Sequence, residues 1–265
     1  MTVRRLLISS ALLVASLTAA DAFADGFAAL VSPPRFELSG KSGGTVRQVF
    51  ELTNRSGAAA RFRIHTADFT LGADYGVTFH DELQADSCRP WVAIERPLVS
   101  LPAGSTVRYR FEVQVPKDAP AGECRFAIMV EADEPSLAKA GQVQLPIVGR
   151  IGIIVYVIVG DAAPKIEVFG PEVVSLNGQQ VPALRVHNAG NAHTRMSGFL
   201  SGVDAEGKKY DFTPMELPIL PDEVREVFLT PSINGSPSPT LTFPVTVQGT
   251  LEWSDQSLEL NERFK

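Results

Sequence analysis

From Val107 to Val115 the chain alternates without a break, with Val107, Tyr109, Phe111, Val113 and Val115 interleaved with Arg108, Arg110, Glu112 and Gln114. A β-strand turns successive side chains to opposite faces, so this spacing builds one apolar face and one wet face. On a helix the same spacing would scatter the apolar groups around the axis. The period of two returns in Phe62-Ile64-Thr66, in Phe126-Ile128-Val130 and in Val245-Val247-Gly249-Leu251-Trp253. Between such segments lie turn signals, among them Arg55-Ser56-Gly57, Pro102-Ala103-Gly104, Asn177-Gly178 and Asn188-Ala189-Gly190. Sustained apolar spacing of the helical kind is almost absent. Many short strands separated by turns predict an all-β chain built from immunoglobulin-like sandwiches.

A second regularity predicts two of them. The run from Val49 to Gly57 and the run from Ala183 to Gly190 are each a strand ending in Asn, with a Gly two or three residues later. Leu101-Pro102-Ala103-Gly104 precedes the strand from Val107, and Leu220-Pro221-Asp222-Glu223 precedes one from Val224 to Leu229. The boundary is expected at Asp161–Pro164, which gives domains over 25–160 and 161–265.

Residues 1–24 read as an export signal. Arg4 and Arg5 precede an apolar run from Leu6 to Leu17, and Ala22-Phe23-Ala24 is an A-x-A cleavage site before Asp25. The run has 12 residues, against roughly 20 for a membrane-spanning helix, so a cleaved leader and a periplasmic location are expected. The whole chain has 24 Lys and Arg against 30 Asp and Glu. The leader holds two of the former and one of the latter, leaving 22 and 29 and a net charge of −7. A nucleic-acid binder needs a basic excess to neutralise phosphates, so that class is excluded. Two cysteines, Cys88 and Cys124, are present. An exported chain with one such pair is expected to bridge them, the other reading being two separate buried thiols.

Enzyme signatures are missing. Gly40-Lys41-Ser42 echoes the end of a phosphate-binding loop, but Arg35 stands where the earlier Gly is required, and no strand-loop-helix context follows. Neither a G-x-S-x-G elbow nor an H-E-x-x-H helix occurs. His187 and His193 flank an Asn-Ala-Gly-Asn turn, without the third and fourth ligands that a metal requires. Asp81-Glu82 and Asp133-Glu134 read as solvated loop charge. No catalytic group, cofactor or metal is expected.

The informative stretch is Gln142 to Tyr156. Val143, Leu145 and Ile147 alternate with Gln142, Gln144 and Pro146, and the run then becomes apolar on both faces. Pro146 cannot donate to a ladder, which suits an edge strand or a strand entry. An apolar edge is an aggregation hazard that proteins normally blunt, and leaving one open suits addition of a partner strand. An ordinary core strand preceded by a loop accounts for the same alternation.

These features together resemble the periplasmic pilus (fimbrial) chaperones of the chaperone–usher pathway. Pro34-Arg35-Phe36-Glu37-Leu38 resembles the family's first strand with its Arg, and Phe50 to Asn54 the following strand with its terminal Asn. Pro97 to Ser105 with Val107-Arg108 resembles its proline, apolar, proline-glycine, arginine sequence, and Arg150 to Tyr156 the end of its donor strand. The resemblance implies a chaperone that lends a strand to an incomplete pilin sandwich. Val143, Leu145 and Ile147 would be the donated side chains, and Arg35 and Arg150 would anchor the subunit's terminal carboxylate. It also implies pilin-like or surface subunits as partners, an outer-membrane usher as receiver, and a self-capping dimer when no client is present. Arg150 lies two positions before the family's usual anchoring lysine, where this chain has Gly152, although alternation puts both on one side of the strand. Tyr156-Val157-Ile158-Val159 replaces the family's aromatic-arginine-proline ending. Taken without the resemblance, Arg35 and Arg150 are solvated surface arginines. The alternative function is then a stand-alone immunoglobulin-like envelope protein binding a surface partner or polysaccharide, with the Val143–Ile147 strand fully covered.

Overall fold

Tyr109, Phe111 and Val113 are buried while Arg108, Arg110 and Gln114 face water, as the alternation requires. A computed structural model of the chain describes residues 27–72, 76–84, 87–140, 143–176, 178–237 and 240–265, with backbone alone for 137–140 and 143–144. The leader, its cleavage site and the side chain of Val143 lie outside the described residues.

The first sandwich comprises β1 (Ala29–Ser32), β2 (Arg35–Gly40), β3 (Thr45–Asn54), β4 (Ala60–Leu71), β5 (Val77–His80), β6 (Val92–Ile94), β7 (Leu98–Leu101), β8 (Thr106–Gln114), β9 (Gly122–Ala132) and β12 (Arg150–Val159). Between β9 and β12 the chain leaves as a hairpin of β10 (Ser136–Ala140) and β11 (Val143–Ile147). One sheet has the order β1-β3-β8-β6, the other β2-β12-β9-β4-β5, with β7 also on β4. The first strand crosses from sheet to sheet at Pro33-Pro34, two residues without an N–H to offer either ladder. Before them β1 pairs antiparallel with β3; after them β2 pairs parallel with β12. Phe36, Leu38, Phe50, Leu52, Ile64, Tyr109, Phe111, Ile128, Ile153 and Val155 fill the space between the sheets.

Cys88 and Cys124 are bonded, with their Cα atoms 5.8 Å apart, tying the loop before β6 to β9. Closing a loop of 36 residues removes denatured-state entropy equivalent to about 3–4 kcal/mol. The Cys88→Ser/Cys124→Ser variant is therefore expected to unfold in urea with a stability lower by about that amount. Wild-type protein with its disulfide reduced should match the variant.

The second sandwich comprises β13 (Ile166–Leu176), β14 (Gln179–Asn188), β15 (Ser197–Val203), β16 (Lys209–Pro214), β17 (Val224–Ile233), β18 (Ser236–Pro237), β19 (Val245–Trp253) and β20 (Gln256–Phe264). Strand β17 changes sheets along its length. Val224–Phe228 pair with β14, and Leu229–Ser232 pair with β16. Its core is separate from the first and includes Leu184, Val186, Leu200, Phe212, Leu229, Val247, Leu251 and Phe264.

The repeated Asn motif has one structural cause in both sandwiches. Asn54 is fully buried and donates to the carbonyls of Ala58, Leu101 and Pro102 while accepting from Ser56. Asn188 is equally buried, donates to Ala192 and Ile219, and accepts from Gly190 and Lys165. In each case the Asn joins the turn after its own strand to the chain at, or just before, the Leu-Pro turn. The two sequence echoes are therefore the two ends of one interaction.

Candidate functional site

Strand β11 pairs with β10 alone, in a two-stranded sheet separate from the two sheets of the first sandwich. Leu145 and Ile147 are each 49% exposed, and the adjacent Val148 is 53% exposed. Strand β12 pairs along its whole length with β9, but β2 covers its second edge only from Ile154 to Val159. Among the described residues nothing pairs with that edge from Arg150 to Ile153. An open backbone edge thus runs along β11 and into β12, and it stops where β2 begins at Arg35, the Cα partner of Ile154.

The faces of β12 divide by parity. Ile153, Val155, Val157 and Val159 lie in the sandwich core. Arg150, Gly152, Ile154 and Tyr156 are on the opposite face, and the parallel register places Arg35 and Glu37 beside Ile154 and Tyr156. That face is turned to the second sandwich. Leu220 of the second sandwich packs in one cluster with Ala67, Phe69, Ala127, Met129 and Tyr156 of the first. The site is thus the cleft between the two.

Arg35 is 49% exposed and pairs with Glu37 at 3.1 Å. Arg150 is 50% exposed, 4.0 Å from Glu131, with its guanidinium 5.8 Å from the centre of the Phe79 ring. Ile154 is four positions after Arg150, about 13 Å along a strand. Phe79 occupies the interval. A Cβ built on Gly152 would stand 2.3 Å from the Phe79 ring, so the ring must move aside for any side chain at that position. The resemblance implies that Arg35 and Arg150 anchor one carboxylate; the structure puts both on the cleft face but separates them along it.

Deeper in the cleft lies a polar cluster that the sequence did not reveal. His193 Nδ1 and the His193 backbone N–H both bond the fully buried Glu123 carboxylate, so a residue of the second sandwich is held by one of the first. The His193 ring stacks on Tyr156 at 3.9 Å between centroids, and the Arg195 guanidinium lies 5.6 Å from the centre of the same ring. Burial pushes the Tyr156 phenol above its ordinary value. Burial, reinforced by the positive charge of Arg35, pulls Arg195 below its own, against the opposing pull of Tyr156 and Glu37. Glu123 and His193 are 70 positions apart in the chain, and no spacing rule links them.

The histidines considered as ligands are held apart. His187 faces Glu167 at 3.4 Å and stacks on Phe169, whereas His193 is in the cleft. His80 bonds Thr70 on an exposed edge. Among the described residues no three His, Cys, Asp or Glu side chains converge as a metal would need.

No protein-family model matches the chain, and no curated protein matches it. Solved structures do match over most of its length, and many of them are fimbrial chaperones of the chaperone–usher pathway. The class 5 fimbriae chaperone CfaA is 13% identical, with 89% of this chain and 99% of that one covered and a TM-score of 0.47. The YadV chaperone is 15% identical over 89% and 98%, with a TM-score of 0.47. The CsuC–CsuE chaperone–tip adhesion subunit pre-assembly complex, from the archaic chaperone-usher Csu pili of Acinetobacter baumannii, matches at 12% identity over 90% and 99%, with a TM-score of 0.46.

Proposed function

We propose that the chain is a periplasmic chaperone that binds exported pilus or surface subunits by donating a strand to them and delivers them for assembly. The observation that carries this reading is the open edge of β11 and early β12, with Leu145 and Ile147 half exposed and an arginine where the edge ends. A client strand laid along that edge, parallel to β12, runs head-on into the start of β2. Its last residue then stops beside Arg35, and its terminal carboxylate meets a guanidinium. Val143, Leu145 and Ile147 are the proposed donor side chains. Arg35 is the proposed carboxylate anchor, and Arg150, the second proposed cation, meets the client nearer the start of β12. An outer-membrane usher is the proposed receiver of the loaded complex. The stand-alone envelope protein would cover the Val143–Ile147 strand, and the exposure of Leu145 and Ile147 favours the chaperone instead.

Co-expression of the tagged protein with its neighbouring exported genes tests the reading, with intact-complex mass spectrometry of the eluate. The expected result is a one-to-one complex with a small β-rich subunit, lost in the Arg35→Ala/Arg150→Ala variant. Recovery of the tagged protein alone, with those subunits folding and persisting without it, would sink the chaperone reading and leave the envelope-binding one.

A further inference from the structure

Three basic side chains converge on one carboxylate oxygen in the cleft. Glu37 Oε1 is 3.1 Å from Arg35 Nε, 3.7 Å from His193 Nε2 and 3.8 Å from Arg195 Nε. Arg195 is poorly served by this arrangement. Its Nε and Nη1 are buried without a hydrogen-bond partner, and a buried guanidinium donor left unbonded carries a desolvation cost that the Tyr156 ring and the more distant Glu37 offset only in part. Glu37 itself is 47% exposed at the rim, free to swing into water. Its neighbour Arg35 stands where the open edge of β12 stops.

We propose that Glu37 fills the carboxylate site of the client-free protein, and that a client's terminal carboxylate displaces it to be held by Arg35 and Arg195, one arginine from each sandwich. This rests on the chaperone reading above and specifies which groups of this chain do the anchoring. Arg195 supplies the second cation, since Gly152 carries no side chain and the Phe79 ring lies against it. A carboxylate has two oxygens with four lone-pair sites and can satisfy the unbonded N–H groups of Arg195 while keeping the contact to Arg35. Glu37 is tethered and reaches Arg195 only at 3.8 Å, too long for a hydrogen bond. Because Arg195 belongs to the second sandwich, carboxylate binding also draws the two domains onto one ligand. A strand without a free terminus in the cleft leaves Glu37 in place, so the site selects chain ends over internal segments.

The test uses the full chain and a fluorescent peptide copying the last strand of the subunit that co-purifies with it, made with either a free terminal carboxylate or an amide. Glu37→Gln is expected to tighten the carboxylate peptide about tenfold and leave the amide peptide unchanged. Arg195→Gln should weaken the carboxylate form by roughly 10- to 100-fold, to the level of the amide form, with Arg195→Lys recovering part of the loss. Arg150→Ala should leave the preference for carboxylate intact. Thermal unfolding of each variant separates loss of binding from loss of fold, and the Glu37→Gln gain does not depend on a damaged protein. If wild type binds the peptide but Glu37→Gln and Arg195→Gln bind both forms as it does, the proposal is overturned and the chaperone reading stands. If wild type captures neither subunit nor peptide, both fall.

Discussion

Replacing Leu145 and Ile147 together by aspartate is expected to abolish subunit capture while leaving the unfolding transition where it was. Each side chain is half exposed in the free protein, on a hairpin whose ladder is separate from the two sheets of the first sandwich. Neither belongs to the core of that sandwich. Surface changes of this kind alter stability by no more than about 0.5 kcal/mol. On the proposed reading, the same positions enter an apolar groove of the client. Burying a large aliphatic side chain fully is worth about 1.5–3 kcal/mol, and an aspartate in its place must be desolvated as well. Even with half of each side chain already buried, the two losses predict capture weakened at least about 100-fold. Pull-down with the co-expressed subunit measures the first effect, and urea unfolding of the isolated protein measures the second. Equal recovery of subunit by the variant would remove β11 from the donor role.

The same variant bears on the protein without a client. An exposed apolar edge is a template for a second strand, and the second strand nearest to hand is another copy of the chain. A dimer closed through β11 should disappear in the Leu145→Asp/Ile147→Asp protein, whereas one closed elsewhere should survive. Sedimentation velocity over a range of concentrations distinguishes the two outcomes.

The strands were legible in the sequence because alternation is a local signal, and a half-buried sheet imposes it residue by residue. Tyr109, Phe111, Val113 and Val115, and Val245, Val247, Leu251 and Trp253, are buried as the pattern marks, with Val107 and Gly249 partly so. The Asn and Leu-Pro echoes were legible as repetition, though not as a pair of groups that touch. The cysteine pair followed from count and compartment. The cleft was hidden for a different reason. Alternation puts Arg150 and Gly152 on one side of their strand, which the sequence carries, but the β2–β12 register that sets Arg35 on the same face does not show in it, and the intervening ring comes from Phe79 on β5, three sheet positions from β12. Glu37, Glu123, His193 and Arg195 meet only because two sandwiches pack against each other. Their spacing of up to 158 positions, from Glu37 to Arg195, leaves no periodicity to detect. The break between β11 and β12 was equally silent, since Gln142 to Tyr156 reads as one alternating run that turns apolar.

Asn188→Ala is expected to cost about 3–5 kcal/mol, a large share of the stability of an ordinary domain. The side chain is fully buried, and its amide donates to Ala192 at 2.8 Å and Ile219 at 3.0 Å. Its carbonyl accepts from Gly190 and Lys165, each at 3.0 Å. Alanine leaves four backbone groups without these partners where the side chain was fully buried. Each buried group left unbonded costs about 1–3 kcal/mol. Asn188→Asp separates the two halves of the interaction. The carboxylate keeps the accepted bonds from Gly190 and Lys165 but faces the carbonyls of Ala192 and Ile219 with no proton to give, so aspartate should be at least as damaging as alanine. Because Lys165 lies immediately after the Asp161–Pro164 connection, releasing its N–H also loosens the entry into the second sandwich. His193 follows five residues after Asn188 and is held by Glu123 of the first sandwich, so the loosening reaches the cleft. The expected signature in urea is an earlier transition for the second sandwich, together with greater exposure of Tyr156 to solvent quenchers at denaturant concentrations where the first sandwich is still folded. A single transition at the wild-type midpoint would mean that the buried amide is replaceable by water and that the repeated Asn is not what holds each turn.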